Sequence, residues 1–314
     1  MIENFPVTPV IAIRVRVLRH RITVIDVEPK SLAIADFAAI VVFGSIRTGT
    51  FMASLRIPAM IFISLLPASH AFAQDPFEIH VYDYETLKPG QFSLEQHLNY
   101  WAVGSKQFDG RLAPTNDQLH MTYELTGAIT SRISLGFMQL SAALPGAGLE
   151  YAGWRVLPHF YAPPSWGLPI DLGLIVEFSF ARPDFISDTA HVELRPILRR
   201  RVQDFWLVFN PVFARALRGE GVRDGWTFEP AIRAAYGDSD EKRLVPYLEW
   251  YSEMGSVPGL APASQQVHQL FSGVDVKLAN HLIWSVAPGV GLTPMGPRLV
   301  FKSHLEFEFG RHQN

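Results

Sequence analysis

Gln118 to Thr126 reads QLHMTYELT, and these nine residues decide the fold. In an extended chain successive side chains fall on opposite faces. Leu119, Met121, Tyr123 and Leu125 then share one face, and Gln118, His120, Thr122 and Glu124 the other. A strict period of two, held this long, is the mark of a strand with one apolar and one polar side.

The same period spreads outward from this stretch. Phe92, Leu94, Leu98 and Tyr100 share a face before it, and Ile133, Leu135 and Phe137 after it. Leu172, Leu174, Val176, Phe178 and Phe180 form another set, followed by Val192, Leu194 and Leu198, then Leu282, Trp284, Val286 and Val290. Phe301, Leu305, Phe307 and Phe309 close the series, alternating with Lys302, His304, Glu306 and Glu308. The pattern predicts twelve strands, over 91–101, 118–127, 131–140, 149–161, 168–180, 188–199, 203–213, 226–236, 242–252, 266–278, 281–292 and 298–309. Most are longer than the usual 5–6 residues and close to the roughly 9–11 that cross a bilayer as a tilted strand.

The connections carry separate information. After the odd-numbered strands they are long and rich in Gly, Pro and charge, as in AVGSKQFDGRLAPTND, SAALPGAG and ARALRGEGVRDG. After the even-numbered strands they are tighter, as in GAIT, RRVQ and AN, with APPSWG the exception. Outward aromatics also gather at both strand ends. Phe92, Tyr123, Phe160, Phe205, Tyr236, Trp284, Phe307 and Phe309 mark one belt, and Tyr100, Phe137, Phe180, Phe213, Trp226, Trp250 and Phe301 the other. A soluble sandwich would have no reason to place its aromatics this way, whereas membrane interfaces select for two belts. The expected fold class is all-β, a transmembrane antiparallel up-and-down β-barrel of about 12 strands. Proline works against a closed wall, because it cannot donate to the ladder. Pro158, Pro196, Pro211, Pro230 and Pro246 fall near expected rims, but Pro288 lies deeper and the pattern does not account for it.

Upstream of the barrel, Met52–Ala73 reads MASLRIPAMIFISLLPASHAFA. A short basic lead, an apolar run too short to span a bilayer and a small-x-small site before Gln74 make a secretory signal peptide. The expected organisation is therefore an upstream extension at 1–51, the signal peptide at 52–73 with cleavage after Ala73, and a periplasmic lead-in at 74–90. The barrel follows at 91–309 and a tail at 310–314. FEIHVYD (77–83) alternates weakly, but a further strand would make the count odd.

Residues 1–73 hold seven of the 27 basic and four of the 30 acidic residues, leaving 20 and 26, a formal charge of −6, on 74–314. Such a chain lacks the basic footprint of a nucleic-acid binder, so no nucleic acid is expected as partner. There is no cysteine, which excludes disulfides, thiolate metal sites, thiol nucleophiles and a lipoprotein anchor.

If the apolar positions face lipid, the polar ones line the lumen. The first strand contributes Glu95 and His97. The middle strands add Arg155, His159, Asp171, Glu177, His191, Glu193 and Arg195, then Glu229, Arg233 and Glu249. The last strand adds Lys302, His304, Glu306 and Glu308. Both signs occur, and an enclosed unpaired charge would be costly. The set fits a salt-bridged lumen that holds the barrel in shape, or a polar path for a small solute; the two are compatible. Closure of the last strand on the first would bring Glu95 and His97 near His304 and Glu306. No close-spaced ligand motif supports a metal there, so no metal and no other cofactor is expected. A lipid hydrolase would need Ser, His and an orienting group together at the lipid boundary. The outward candidates His268, Ser272 and Ser303 do not supply that spacing, so no catalytic residues are expected.

PGQFSLEQHLNY, the hairpin MTYELTGAITSRISLGF and the outward-aromatic strands that follow resemble an outer-membrane β-barrel family of the transporter type, similar to the MetA-pathway-of-phenol-degradation group. The resemblance covers most of 76–309 and implies a barrel that passes small or aromatic compounds. It supplies no catalytic residues. The chain departs from the usual barrel ending in that GRHQN follows Phe309. The expected function is thus a bacterial outer-membrane channel or transporter of a Gram-negative organism, passing or binding a small-molecule solute. Its expected partners are outer-membrane lipid and the barrel-insertion machinery. The alternative is a structural or surface-interaction barrel acting through its extracellular loops 102–117, 214–225 and 253–265, with a lipid-modifying enzyme as a third reading.

Overall fold

A computed structural model describes residues 15–18, 21–24, 75–144, 146–239 and 241–310. The signal peptide assigned to 52–73 lies outside the described residues, as do the last four of the tail. Within the upstream extension, Val15–Leu18 pairs antiparallel with Arg21–Val24 in a unit of its own.

Twelve strands form one closed antiparallel barrel, each paired with its sequence neighbours. They are β1 Gln91–Val103, β2 Gln118–Thr130, β3 Ile133–Leu144 and β4 Gly148–Tyr161. Next come β5 Asp171–Ala181, β6 Ala190–Val202, β7 Phe205–Arg218 and β8 Trp226–Tyr236. The last four are β9 Leu244–Glu253, β10 Val267–Ala279, β11 Leu282–Gly291 and β12 Leu299–Gly310. β12 closes on β1 along its whole length, which sets His304 opposite His97 and Glu306 opposite Glu95. The end carrying the tight β2–β3, β6–β7 and β10–β11 turns also carries the start of β1 and the end of β12; it is called the turn end below, and the opposite end the loop end.

Burial is inverted relative to a soluble protein. Along β3, Leu135 and Phe137 point outward, 46% and 50% exposed, while Met138 between the strands' inner faces is fully buried. Charged groups such as Arg155, Glu177 and Glu249 are buried on the inside. A wall apolar outside and ionic inside is built for an apolar surrounding medium. The aromatic belts are physical stacks. At the turn end Phe92 stacks on Phe309 (5.6 Å) and Phe205 leans on Tyr236 (5.3 Å). At the loop end Trp154 stacks between Phe137 (6.3 Å) and Phe180 (4.5 Å).

The expected long connection SAALPGAG is mostly strand: β3 runs to Leu144 and β4 starts at Gly148, further than their aromatics suggest. Gly146 (φ +80°) and Gly148 (φ +86°) adopt left-handed backbone that other residues resist, and the Ala147 N–H donates to the Leu144 carbonyl at 3.1 Å. Deeper in β4, a bulge at Ala152 switches parity, so that Tyr151 and Trp154 both point outward.

The prolines coincide with gaps in the ladder rather than with rims alone. The β4–β5 register skips from Val156↔Phe178 to His159↔Ile175 around Pro158. The β6–β7 register skips from Leu194↔Phe213 to Leu198↔Phe209 around Pro196 and Pro211. Around Pro288 the β10–β11 register skips from Phe271↔Gly289 to Val274↔Val286. There the Phe271 ring lies over Gly289, where a Cβ would come within 2.1 Å of it. Pro288 therefore marks a place where inward rings replace ladder bonds.

Candidate functional site

Residues 75–90, expected as a periplasmic lead-in, instead run through the barrel lumen in extended form, from Asp75 near the loop end to Gly90 at the turn end. The segment is not a thirteenth strand: its residues 77–88 carry no strand pairing. Its backbone carbonyls take hydrogen bonds from side chains of the wall. Asn99 Nδ2 donates to Pro76 O (3.0 Å), Thr122 Oγ1 to Phe77 O (2.9 Å), Lys302 Nζ to Ile79 O (3.2 Å) and Asn210 Nδ2 to Tyr82 O (3.0 Å). This meets the requirement that buried backbone polar groups find partners. Asn210 also donates to Pro196 O at 3.4 Å, inside the ladder gap left by the prolines.

Alternation gives the segment two faces. Phe77, Ile79 and Val81 are 0%, 3% and 1% exposed. Phe77 meets the His120 ring edge-on at 4.8 Å, and His120 in turn meets Trp101 at 5.7 Å. The other face carries Glu78, His80 and Tyr82. Tyr82 donates to Glu124 at 3.2 Å, Asp83 pairs with Arg199 at 3.0 Å, and Tyr84 donates to the Ala162 carbonyl at 2.6 Å.

Three clusters bind this segment to the wall. In the first, Arg155 of β4 pairs with Asp75 and with Glu78 (2.7 Å) of the segment and with Glu177 (3.2 Å) of β5. Arg195 of β6 reaches Glu78 (3.1 Å) and Glu193 (2.8 Å), and its guanidinium lies 4.9 Å from the Tyr82 ring centre. His191 lies 3.4 Å from Glu193 and 3.6 Å from Glu177. In the second, Glu249 of β9 joins Arg233 of β8 (2.6 Å) to Lys302 of β12, and Arg233 continues to Asp275 of β10. Tyr251 donates to Glu249 at 3.0 Å, and Arg233 lies 3.8 Å over the Tyr247 ring. In the third, Glu95 Oε2 lies 2.9 Å from His304 Nε2 and 3.6 Å from His97 Nε2. His80 of the segment sits beside them, its ring 4.8 Å from that of His304.

The remaining inward candidates stand apart from these clusters. Glu306 accepts from Ser93 at 3.3 Å, Glu229 from Thr227 at 2.7 Å, and His159 Nδ1 lies 3.4 Å from the Tyr161 hydroxyl. Asp171 is level with Arg199 on the neighbouring strand, and Glu308 lines the space at the turn end. The outward hydrolase candidates stay separate: Ser303 accepts from Trp284 Nε1 at 2.9 Å, and His268 stacks on Trp250 at 5.5 Å. Ser272 is exposed one strand over from Leu248.

Several cavities border the threaded segment, and two of them lie toward its ends. At the loop end a space of about 180 Å³ is walled by Trp101, Leu112, Phe185 and Ile186, with Asp75, Asp188, Glu229 and Glu253 among its acids. At the turn end a larger, more polar space of about 370 Å³ is lined by His80, Asp83, Arg199, Arg233, His304 and Glu306. Over the loop end, Asp184 bridges Arg182 (2.9 Å) and Arg111 (3.2 Å). Those two hydrogen-bonding guanidiniums, Arg182 first, hold its carboxyl below the usual carboxylate range.

No protein-family model matches the sequence, and no curated protein matches it. Among solved structures, the chain is similar to the COG4313 outer membrane channel from Pseudomonas putida F1. The identity is 11% and the TM-score 0.50, over 74% of this chain and 100% of that one. It is also similar to the KdgM porin, at 9% identity and a TM-score of 0.45, over 69% of this chain and 99% of that one. At these identities the likeness concerns the fold, a closed antiparallel barrel.

Proposed function

We propose that this chain is a bacterial outer-membrane channel for a small solute, closed at rest by residues 75–90. The observation that carries this reading is the inverted wall. An apolar exterior with two aromatic belts belongs in a bilayer, and a closed β-barrel satisfies its backbone there without help from lipid. The turn end, holding both barrel termini, faces the periplasm, and the loop end faces outward. Inside, ionic groups line a path that widens into a cavity on each side of the threaded segment.

The outer cavity suggests the class of solute. Its apolar wall and surplus of carboxylates suit a compound with an apolar or aromatic body and a cationic or hydrogen-bond-donating group. The resemblance of the hairpin and aromatic strands to a family of transporter barrels fits the same view. Passage requires the segment to leave, so the intact chain should conduct poorly in planar bilayers. A variant lacking residues 75–87 should conduct well. A deletion variant that inserts, runs as a heat-modifiable barrel and still shows no conductance or solute uptake would sink the channel reading.

A second reading has its own support. The middle of the lumen is filled and rich in ion pairs, and Arg111, Asp184, Arg182 and Glu150 tie three extracellular pieces together, as a permanently sealed surface-interaction barrel would need. The absence of native cysteine allows a direct choice between the two. A Val81→Cys variant should react with an impermeant thiol reagent if the segment ever leaves; complete protection under all conditions would favour the sealed barrel.

A further inference from the structure

The β12–β1 seam holds a group of side chains with metal-ligand geometry. Atoms of Glu95, His97 and His304 lie mutually within 4.8 Å. Glu95 Oε2 is 2.9 Å from His304 Nε2 and 3.6 Å from His97 Nε2. Around a tetrahedral zinc, with bonds of roughly 2.0–2.2 Å, neighbouring donor atoms stand about 3.3 Å apart. The observed spacings bracket that value. His97 is 2% exposed, and its Nε2 faces the group without a hydrogen-bond partner. The His97 and His304 rings stack at 4.5 Å, an arrangement that two protonated imidazoles would resist.

Strand register accounts for His97 and His304, which are directly opposite across the seam. It does not account for His80. That residue comes from the threaded segment, and its ring centre lies 4.8 Å from that of His304 and 5.7 Å from that of His97, beside the three-residue group though outside its close donor spacing. Entry is available, since His80 and His304 both line the cavity at the turn end. The other group with similar spacing, Asp75, Glu177 and His191, is a poorer candidate, because Arg155 already pairs with both of its carboxylates.

We propose that Glu95, His97 and His304, completed by His80, form a binding site for a transition-metal dication of the zinc class, and that the ion clips the threaded segment to the β12–β1 seam. Imidazole with one carboxylate selects such ions over calcium or magnesium, which prefer all-oxygen shells. No close-spaced motif marks the site, because its ligands come from three separated stretches of chain, one of them the threaded segment.

The test is zinc uptake by the purified full chain in detergent, measured by isothermal titration and by metal analysis after dialysis. One tight equivalent per chain is expected. His97→Gln combined with His304→Gln should lose that equivalent, and heat-modifiable migration would verify that the variant still forms a barrel. Cobalt should give the visible bands of a tetrahedral nitrogen–oxygen site in the intact chain alone. No stoichiometric uptake, or equal uptake by the double variant, would overturn the site. For the clip, zinc should raise the unfolding temperature of the intact chain and raise it clearly less in His80→Ala. An equal rise in both would overturn the role of His80. None of these readouts uses conductance, so a sealed barrel would leave the metal site standing, and a missing metal would leave the channel standing.

Discussion

Two clusters grip the same threaded segment, and they do it with different chemistry. Around Arg155 and Arg195 the cations are guanidiniums, buried in mid-wall and joined to Glu78. At the β12–β1 seam the partners are histidines around one carboxylate, open to the cavity at the turn end. A guanidinium cannot set its charge aside, so the first cluster is a fixed fastening whose loss leaves carboxylates stranded. Imidazole can be neutral, protonated or metal-bound, so the second is a conditional fastening. One segment is held at one point by structure and at another by circumstance.

The largest expected effect breaks the fixed side. Arg155→Ala leaves Asp75, Glu78 and Glu177 short of their shared cation, and removing one partner of a buried ionic group costs about 3–5 kcal/mol. Urea titration of the reconstituted barrel should show a loss of that order, together with raised conductance; a change below about 1 kcal/mol would mean that water reaches the cluster. Glu78→Gln is the milder cut, since Arg155 keeps Asp75 and Glu177. A loss of about 1.5–3 kcal/mol is expected, as for a hydrogen bond to a charged group, with the segment more often out of the lumen. Lys302→Met tests a further grip on the segment, the group around Glu249. Glu249 keeps Arg233 and Tyr251, so a loss of about 1–2 kcal/mol is expected, and a larger one would show that the Ile79 carbonyl contact matters more than the ion pair.

Next comes the conditional side. Without metal, His80→Ala should shift stability by less than about 1 kcal/mol, because among the described residues no ion pair depends on that ring alone. The smallest effect lies outside both clusters, at Asp184. Its carboxyl is depressed in the folded state, so the tie to Arg182 and Arg111 is present above the unfolded value and is lost as pH falls through the lower folded one. Hydrogen exchange across residues 104–117 should therefore stay slow through mild acid and quicken only below the ordinary carboxylate range. Asp184→Asn should show the quick pattern at neutral pH. No difference between the two chains would mean the loop is held by other contacts.

Much of the wall was legible in the sequence, because side chains alternating between lipid and lumen leave a period of two in every strand. Strand ends were less legible. β7 continues through Ala214–Arg218 past its last belt aromatic, where Arg215 interrupts the outward apolar run before Leu217. The β3–β4 loop was misjudged for the same reason, its glycines marking a tight turn rather than a long loop. Parity alone picks out the inward set from Glu95 to Glu308 and says nothing of its pairing. Arg155 and Arg195 share Glu78, and Lys302 reaches Ile79, across separations that no local pattern reports. The threaded segment was hidden most thoroughly: FEIHVYD alternates as a weak strand would, while its backbone is paired with the side chains of Asn99, Thr122, Asn210 and Lys302.

Those four donors also impose an order of assembly. Asn99 belongs to β1, Thr122 to β2, Asn210 to β7 and Lys302 to β12, the first and last strands of the wall among them. The seat for the segment therefore exists only once the cylinder has shut, although the segment is synthesised before any strand of it. Until then its apolar residues Phe77, Ile79 and Val81 have nowhere to go. Docking of residues 75–90 should be a late, separable kinetic phase, following closure of β12 on β1 and visible as a slow gain in protection after the heat-modifiable form has appeared.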